Sequence, residues 1–306
     1  MPRHRTRRSA LSASVTAVVL LAGSAAGGAC LVGRSPDPAP AAVASVSSAS
    51  SPSAAAGTSE EPEVDLDAEL AEALAPLAGD ADASVDVSVA VLDTESGESA
   101  AYGDGAYDTA SIVKVDILAA LLLLAQDEGR ELSGAELARA DAMIRRSDNT
   151  SATELLKVVG GEEGLDAANE RLGLTATTAA HAWGLTQTTA ADQVRLLEAV
   201  FGTDSELSEA SRTYLTDLMG EVGADQQWGV SAAGTDWALK NGWMPRTTTG
   251  LWDINSIGRV ESGGHTYLLA VLSRGHATKE AGVTLVESLA KAALAALTPQ
   301  AWPGRW

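Results

Sequence analysis

A hydroxyl and an amine stand three residues apart in the stretch Asp108-Thr109-Ala110-Ser111-Ile112-Val113-Lys114. The stretch reads as the end of a loop entering a helix, which puts Ser111 and Lys114 on one face. A hydroxyl is a poor nucleophile until a neighbouring base takes its proton. A lysine can be that base where burial or a nearby cation favours its neutral form. The helix N-terminus adds unpaired backbone N–H groups, which favour the negative charge of an attacked carbonyl. The same spacing recurs at Ser288-Leu289-Ala290-Lys291, inside an Ala/Leu-rich amphipathic run with no preceding turn and no partner motif after it. That second copy reads as the surface face of a helix. The first copy has to be judged by the elements around it.

The chain has 306 residues, 45% of them hydrophobic, which is enough for a domain with a real core. Acidic residues outnumber basic ones by 41 to 21, for a net charge of −20. So acidic a chain argues against nucleic acid or an anionic membrane surface as partner. A soluble, self-repelling monomer is expected. The one cysteine, Cys30, excludes an internal disulfide. His4, His181, His265 and His276 have no zinc-site spacing, and H-E-x-x-H, G-x-S-x-G and phosphate-loop motifs do not occur. No metal and no cofactor are expected.

Residues 1–30 read as an export signal: Arg3, Arg5, Arg7 and Arg8 precede a weakly apolar run from Val15 to Ala22, then small residues up to Cys30. Cys30 after Gly28-Ala29 resembles the lipid-modified cysteine of bacterial lipoproteins, with Gly27 standing where Leu is usual. The alternatives are a cleaved secretory signal, or an uncleaved anchor with Cys30 incidental. Residues 31–63 are poor in large apolar side chains and rich in Ser, Ala and Pro, with six of the ten prolines at or before Pro62. Such a segment reads as a disordered tether. Residues 64–306 form the expected folded domain. The plan suits an exported protein on the outer face of the cell membrane as a lipoprotein, or secreted, touching a membrane only through its N-terminal anchor.

Within the domain, Leu66, Leu70 and Leu74 predict a first helix ending near Pro76. Val85, Val87, Val89 and Val91 alternate as a half-buried strand does, and Ser99 to Tyr102 returns as a hairpin partner. Ile112 to Ala125 is apolar nearly all round, so its helix should be buried on every side. Such a helix is a rigid mount for a catalytic group. Ser133 to Glu136 is a capping box opening a helix to about Arg146. Another helix follows Ser147-Asp148-Asn149, and further helices are expected near 162–172, 188–201 and 206–220. Strands are expected at Trp237 to Trp243, Leu251 to Val260 and Thr266 to Ser273, before a closing helix from Ala281 to Leu297. Strands at both ends with helices between predict an α+β fold. It would be an antiparallel sheet of about five strands flanked by helices, with an all-helical lobe inserted between the N- and C-terminal strands.

Three short motifs now stand in order: Ser111-x-x-Lys114, Ser147-Asp148-Asn149 and Lys240-Asn241-Gly242. Their order and spacing resemble the penicillin-recognising serine hydrolases, and most closely class A β-lactamases. The resemblance spans roughly residues 64–298. It implies that Ser111 attacks the carbonyl of an amide or β-lactam, that Lys114 helps take its proton, and that Ser147 relays a proton to the leaving nitrogen. It further implies that Asn149 holds the substrate's amide side chain and that Lys240 attracts the substrate carboxylate. The backbone N–H groups of Ser111 and Trp243 would form the oxyanion hole, with Gly242 between Trp243 and Asn241. Two departures stand out. Asn241 replaces the family's hydroxyl, though its amide can still donate to a carboxylate. The family's E-x-x-L-N loop is missing, and Leu174 to Ala191 contains no acidic residue; His181 is its only titratable side chain. The expected activity is therefore acylation of Ser111 by a small-molecule β-lactam or a peptidoglycan peptide, with slow release. The alternatives are a D,D-peptidase or transpeptidase-like cell-wall enzyme, and a non-hydrolysing protein that binds penicillin or wall fragments.

Overall fold

A computed structural model describes residues 64–298. Cys30 and the expected signal and tether lie outside the described residues. The first helix, α1, runs Leu66–Gly79, with Asp65 accepting from the Ala68 N–H as its N-cap. Pro76 lies inside α1 rather than ending it, and the helix runs on to Gly79 without the i→i−4 bond that Pro76 cannot donate. Strand β1 (Asp86–Asp93) pairs antiparallel with β2 (Ser99–Tyr102). A two-residue strand, β3 (Tyr107–Asp108), then leads into a tight turn at Ala110–Ile112 and into α2 (Val113–Asp127). The helical lobe follows as α3 (Gly134–Arg145), α4 (Asn149–Val158) and α5 (Gly161–Arg171). A loop containing β4 (Gln187–Thr188) precedes α6 (Ala190–Phe201) and α7 (Glu209–Gly220). The chain ends its described part with β5 (Thr235–Pro245), β6 (Trp252–Ser262), β7 (His265–His276) and α8 (Lys279–Leu297).

The main sheet has the order β2-β1-β7-β6-β5 and is antiparallel throughout, so β5 is an edge. This is the expected five-stranded α+β arrangement, with α2 to α7 inserted between β1–β3 and β5–β7. Side-chain alternation sorts the core into two layers. Val87, Val89 and Val91 of β1 and Leu269 and Val271 of β7 pack with Leu70 and Leu74 of α1 and Leu289 and Leu294 of α8. Ala90, Leu268, Ala270 and Leu272 face the other way, into the helical lobe. β1 is thus buried on both faces, not half-buried as its alternation suggests. Its second face carries Ser88 and Ala90, small enough to accept a helix layer.

α2 is the axis of the lobe, and all but three of its fifteen residues are buried. The apolar ones cover every face, against α3, α4, α5 and α7. The capping box at Ser133 is formed in both directions and fixes the entry to α3.

Sheet and lobe meet at the turn before α2. Asn255 of β6 donates to the carbonyls of Asp108 (2.8 Å) and Thr109 (3.1 Å), and its own Oδ1 accepts the Ser273 N–H. β3 pairs with β4, and the Thr109 N–H donates to Thr186 O. Gly242 of β5 presses its backbone on the same turn: a Cβ there would lie 2.6 Å from Thr109 O and 2.9 Å from Ser111 N. These contacts are with rigid backbone, so Gly242→Ala should lower the unfolding free energy by about 1–3 kcal/mol, read from urea denaturation. An unchanged midpoint would mean that the strand moves aside at no cost.

Candidate active site

Ser111, Lys114, Ser147 and Lys240 come from three separated parts of the chain and meet at the junction just described. Lys114 Nζ lies 2.8 Å from Ser111 Oγ, 2.7 Å from Ser147 O, 3.0 Å from Ser147 Oγ and 2.8 Å from Asn149 Oδ1. Lys240 Nζ lies 3.1 Å from Ser147 Oγ, 3.3 Å from Gln226 Oε1 and 3.0 Å from Asn241 O. Ser147 Oγ therefore bridges the two amines.

Local backbone geometry aims these groups. Ala110, immediately before Ser111, has φ +48°, and Ser147 has φ +54°. Both are left-handed conformations that cost a non-glycine residue about 1 kcal/mol or more. At Ser147 the reversal follows the end of α3, and Asp148 then caps α4 by accepting the Ser151 N–H at 2.7 Å. The turn directs both the carbonyl and the hydroxyl of Ser147 at Lys114.

Lys114 and Lys240 are completely enclosed. Burial lowers the Lys114 pKa to about 7, with the Asp148 carboxylate pulling the other way. The hydrogen-bond inventory fits the neutral form. Two of its four partners, Ser147 O and Asn149 Oδ1, can only accept and match the two N–H bonds of a neutral amine, while the hydroxyls of Ser111 and Ser147 can each donate to the lone pair. Burial also lowers the Lys240 pKa well below its ordinary value; repulsion from Lys114 adds to this and Asp225 opposes it. Around Lys240 stand three acceptors, the number that an ammonium can satisfy. Two amines sharing one hydroxyl are coupled, so protonation of one disfavours protonation of the other.

Asn149 reaches Lys114 with its side-chain oxygen while the residue as a whole is exposed. Gly242 and Trp243 continue β5 beside the Ser111 turn. Asn241 is different. It is fully buried, and its amide donates to Gln226 O at 2.8 Å and Trp228 O at 2.9 Å. The expected donation from Asn241 to a substrate carboxylate has no free N–H behind it here. Strand alternation is the reason: Lys240 and Gly242 face the Ser111 turn, and Asn241 points to the opposite side.

Sequence reasoning missed several contributors. The Trp183 ring lies over Lys114, with Nζ 4.8 Å from its centroid, and its Nε1 donates to Thr153 Oγ1 at 3.1 Å. Gln226 joins the site only through the fold, as an acceptor for Lys240. For Trp183 a signal existed: one large aromatic in an otherwise small-residue segment, Leu174 to Ala191. His181 of the same segment is at the surface, its Nδ1 3.1 Å from Glu162 Oε1. The second Ser-x-x-Lys copy lies on α8, where Ser288 Oγ donates to Thr284 O and Lys291 is exposed, as expected of a surface face. Asp93, Glu95 and His265 are close enough together to hold an ion. Their oxygens are engaged in the hairpin, however: Asp93 Oδ2 pairs with His265 at 2.7 Å, and Glu95 Oε2 accepts the Thr266 N–H.

Comparison with solved structures returns the same architecture. A class A β-lactamase from Bacteroides cellulosilyticus superposes with a TM-score of 0.66 at 18% identity, over 77% of this chain and 99% of that one. The class A β-lactamase of the last common ancestor of Gram-negative bacteria gives 0.63 at 25% identity, over 75% and 99%. A variant of PBP-A, in an acyl-enzyme complex with penicillin G, gives 0.64 at 20% identity, over 75% and 96%. No curated protein sequence matches the chain. The sequence family described as the β-lactamase enzyme family matches residues 126–297, more than half of the chain, beginning just beyond Ser111 and Lys114. With the serine–lysine pair, the bridging Ser147 and the second lysine gathered in this fold, the chain belongs to the β-lactamase enzyme family.

Proposed function

We propose that this protein is an exported serine hydrolase, lipid-anchored or secreted, which takes a β-lactam or a cell-wall peptide amide onto Ser111 as an acyl ester and releases it slowly. The observation that carries the reading is the continuous chain Ser111 Oγ–Lys114 Nζ–Ser147 Oγ–Lys240 Nζ, with links of 2.8, 3.0 and 3.1 Å. As Ser111 Oγ bonds to the carbonyl carbon, its proton passes to the Lys114 lone pair. The carbonyl oxygen becomes an anion facing the Ser111 N–H and the Trp243 N–H. β5 is an edge strand, so its outward N–H groups have no sheet partner to compete. When the C–N bond breaks, the nitrogen takes a proton from Ser147 Oγ, which is replenished from Lys114 or Lys240. Lys240, behind Ser147, supplies positive potential toward a substrate carboxylate in an otherwise acidic molecule.

Release of the ester needs a base to activate water. The segment Leu174 to Ala191 offers no carboxylate, its Trp183 covers one side of Lys114, and its His181 is turned to solvent. This supports slow deacylation. The same absence also favours a second reading, a D,D-peptidase or transpeptidase-like enzyme on wall peptides. A non-hydrolysing binding protein is the third.

Intact mass after mixing with a penicillin should show a long-lived adduct that disappears in Ser111→Ala. Rapid turnover without an adduct would contradict slow release and point to another water-activating group. Hydrolysis of a chromogenic cephalosporin separates a β-lactamase from a peptidase-like enzyme, and failure of a fluorescent penicillin to attach leaves the binding protein.

The acylation rate constant should also rise with pH. The base form of Lys114 is scarce in acid and grows as pH passes through about 7, so the rate should reach half its plateau there. Lys114→Ala should reduce it by about 10²–10⁴-fold. A rate flat from about pH 5 to 8 would assign the proton to a different group.

A further inference from the structure

Two residues beyond Lys114, α2 carries a second buried ionisable group that the chemistry above does not use. Asp116 is fully enclosed, and neither of its carboxyl oxygens has a hydrogen-bond partner. Beside it stands the side chain of Gln193 on α6, also fully buried. Gln193 Oε1 has no partner either. None of these three oxygens meets a donor at hydrogen-bond geometry, although the Asp116 backbone N–H and the Gln193 amide lie near enough to favour the ionised carboxyl, and an unpaired carboxylate in this interior is costly.

The rest of this network fixes its own direction. Gln193 Nε2 donates to Thr188 Oγ1 at 3.0 Å. Thr188 Oγ1 lies 2.8 Å from Thr177 Oγ1, which donates to Asp192 Oδ2 at 2.8 Å. Thr177 has one hydroxyl hydrogen and spends it on the carboxylate, so the hydrogen between the two threonines comes from Thr188. Every link therefore points from Gln193 toward Asp192, and the amide oxygen at the head of the chain is left waiting for a donor.

We propose that Asp116 is a neutral carboxylic acid in the native protein, whose O–H donates to Gln193 Oε1 and heads this one-way chain, making Asp116 a positioning residue for the site. The chain ties α2, which carries Lys114, to α6, to β4 and to the segment that bears Trp183. β4 in turn pairs with β3, which leads into the Ser111 turn. One proton satisfies Gln193 and turns a bare carboxylate into a neutral group, whose remaining oxygen is far cheaper to leave unpaired.

The electrostatics agree. Burial raises the Asp116 pKa from an ordinary 3.8 to about 7; the Asp192 charge adds to this, and the backbone and Gln193 oppose it. Among the described residues Asp192 is the one charge that bears on Asp116, and α3, α4, α5 and α7, packed on α2, bring none. Asp192 stays paired with Arg195 at 2.8 Å. The native state thus keeps a proton that the unfolded chain loses near 3.8. The resulting stability is complete below that value and is lost as pH rises through about 7.

The direct test is carbon NMR of aspartate-labelled protein, with Asp116→Asn identifying the resonance. A carboxyl shift that stays in the protonated range well above pH 4 supports the proposal, and titration near the ordinary aspartate value overturns it. The second test is thermal melting against pH. The wild type should lose stability as pH rises from about 4 to about 7, and Asp116→Asn, whose N–H replaces the donor, should lose that dependence; an identical decline in both overturns the proposal. Fluorescent-penicillin labelling supplies the positioning readout: Asp116→Leu should label about ten- to a hundred-fold more slowly, with Asp116→Asn restoring the rate. Equal rates in both variants would refute the positioning role. Only the labelling arm rests on the acyl-enzyme reading: a wild type that never labels would count against that reading, and the titration would still decide the state of Asp116.

Discussion

Lys114 Nζ is sealed from water at the first turn of α2, and a sealed amine must be met by hydrogen bonds or give up its proton. Here hydrogen bonds meet the amine, and burial lowers its pKa to about 7. Carbonyl-type oxygens from Ser147 and Asn149 take the two N–H bonds of the neutral form, and the lone pair is left for the hydroxyls of Ser111 and Ser147. Much else follows from that requirement. α2 has to be apolar on all faces to exclude water. α3 has to end where the Ser147 carbonyl can reach back. β5 has to come close enough to bring Lys240 behind the bridging hydroxyl, and Gly242 is the residue that allows that approach.

The conformational cost of the site is held at two non-glycine residues in the left-handed region, Ala110 and Ser147, each at the hinge between a regular element and a side chain of the serine–lysine cluster. Neither could persist alone. Ala110 is held in a turn whose carbonyls are pinned by Asn255 and whose N–H groups face Gly242. Ser147 is held between the end of α3 and the Asp148 cap of α4. Surrounding packing over-determines both positions, so that the groups which react need not search for their places.

Much of this was legible in the linear sequence. The capping box at Ser133, the valine alternation of β1 and the all-round apolar run of α2 are local patterns with local physical causes, and each marks an element that is present. The three motifs likewise located Ser111, Lys114, Ser147 and Lys240. What stayed hidden depends on long-range contact. Asn255 reaches Thr109 across 146 positions, and no period or turn signal anticipates it. β3 and β4, two residues each, are too short to leave a pattern. The inward turn of Asn241 follows from which side of β5 meets the lobe, and Gln226 is recruited only because that strand lies beside it. Trp183 was visible as an oddity in its segment, but not as the cover of an amine.

Because the hydroxyls and amines arrive on segments that touch only when sheet and lobe close on each other, any reactivity of the kind proposed belongs to the tertiary structure and to no part of it. In an opened or incompletely folded chain Ser111 is an ordinary alcohol and Lys114 an ordinary hydrated cation. The juxtaposition of these four groups therefore exists only while sheet and lobe are docked on each other.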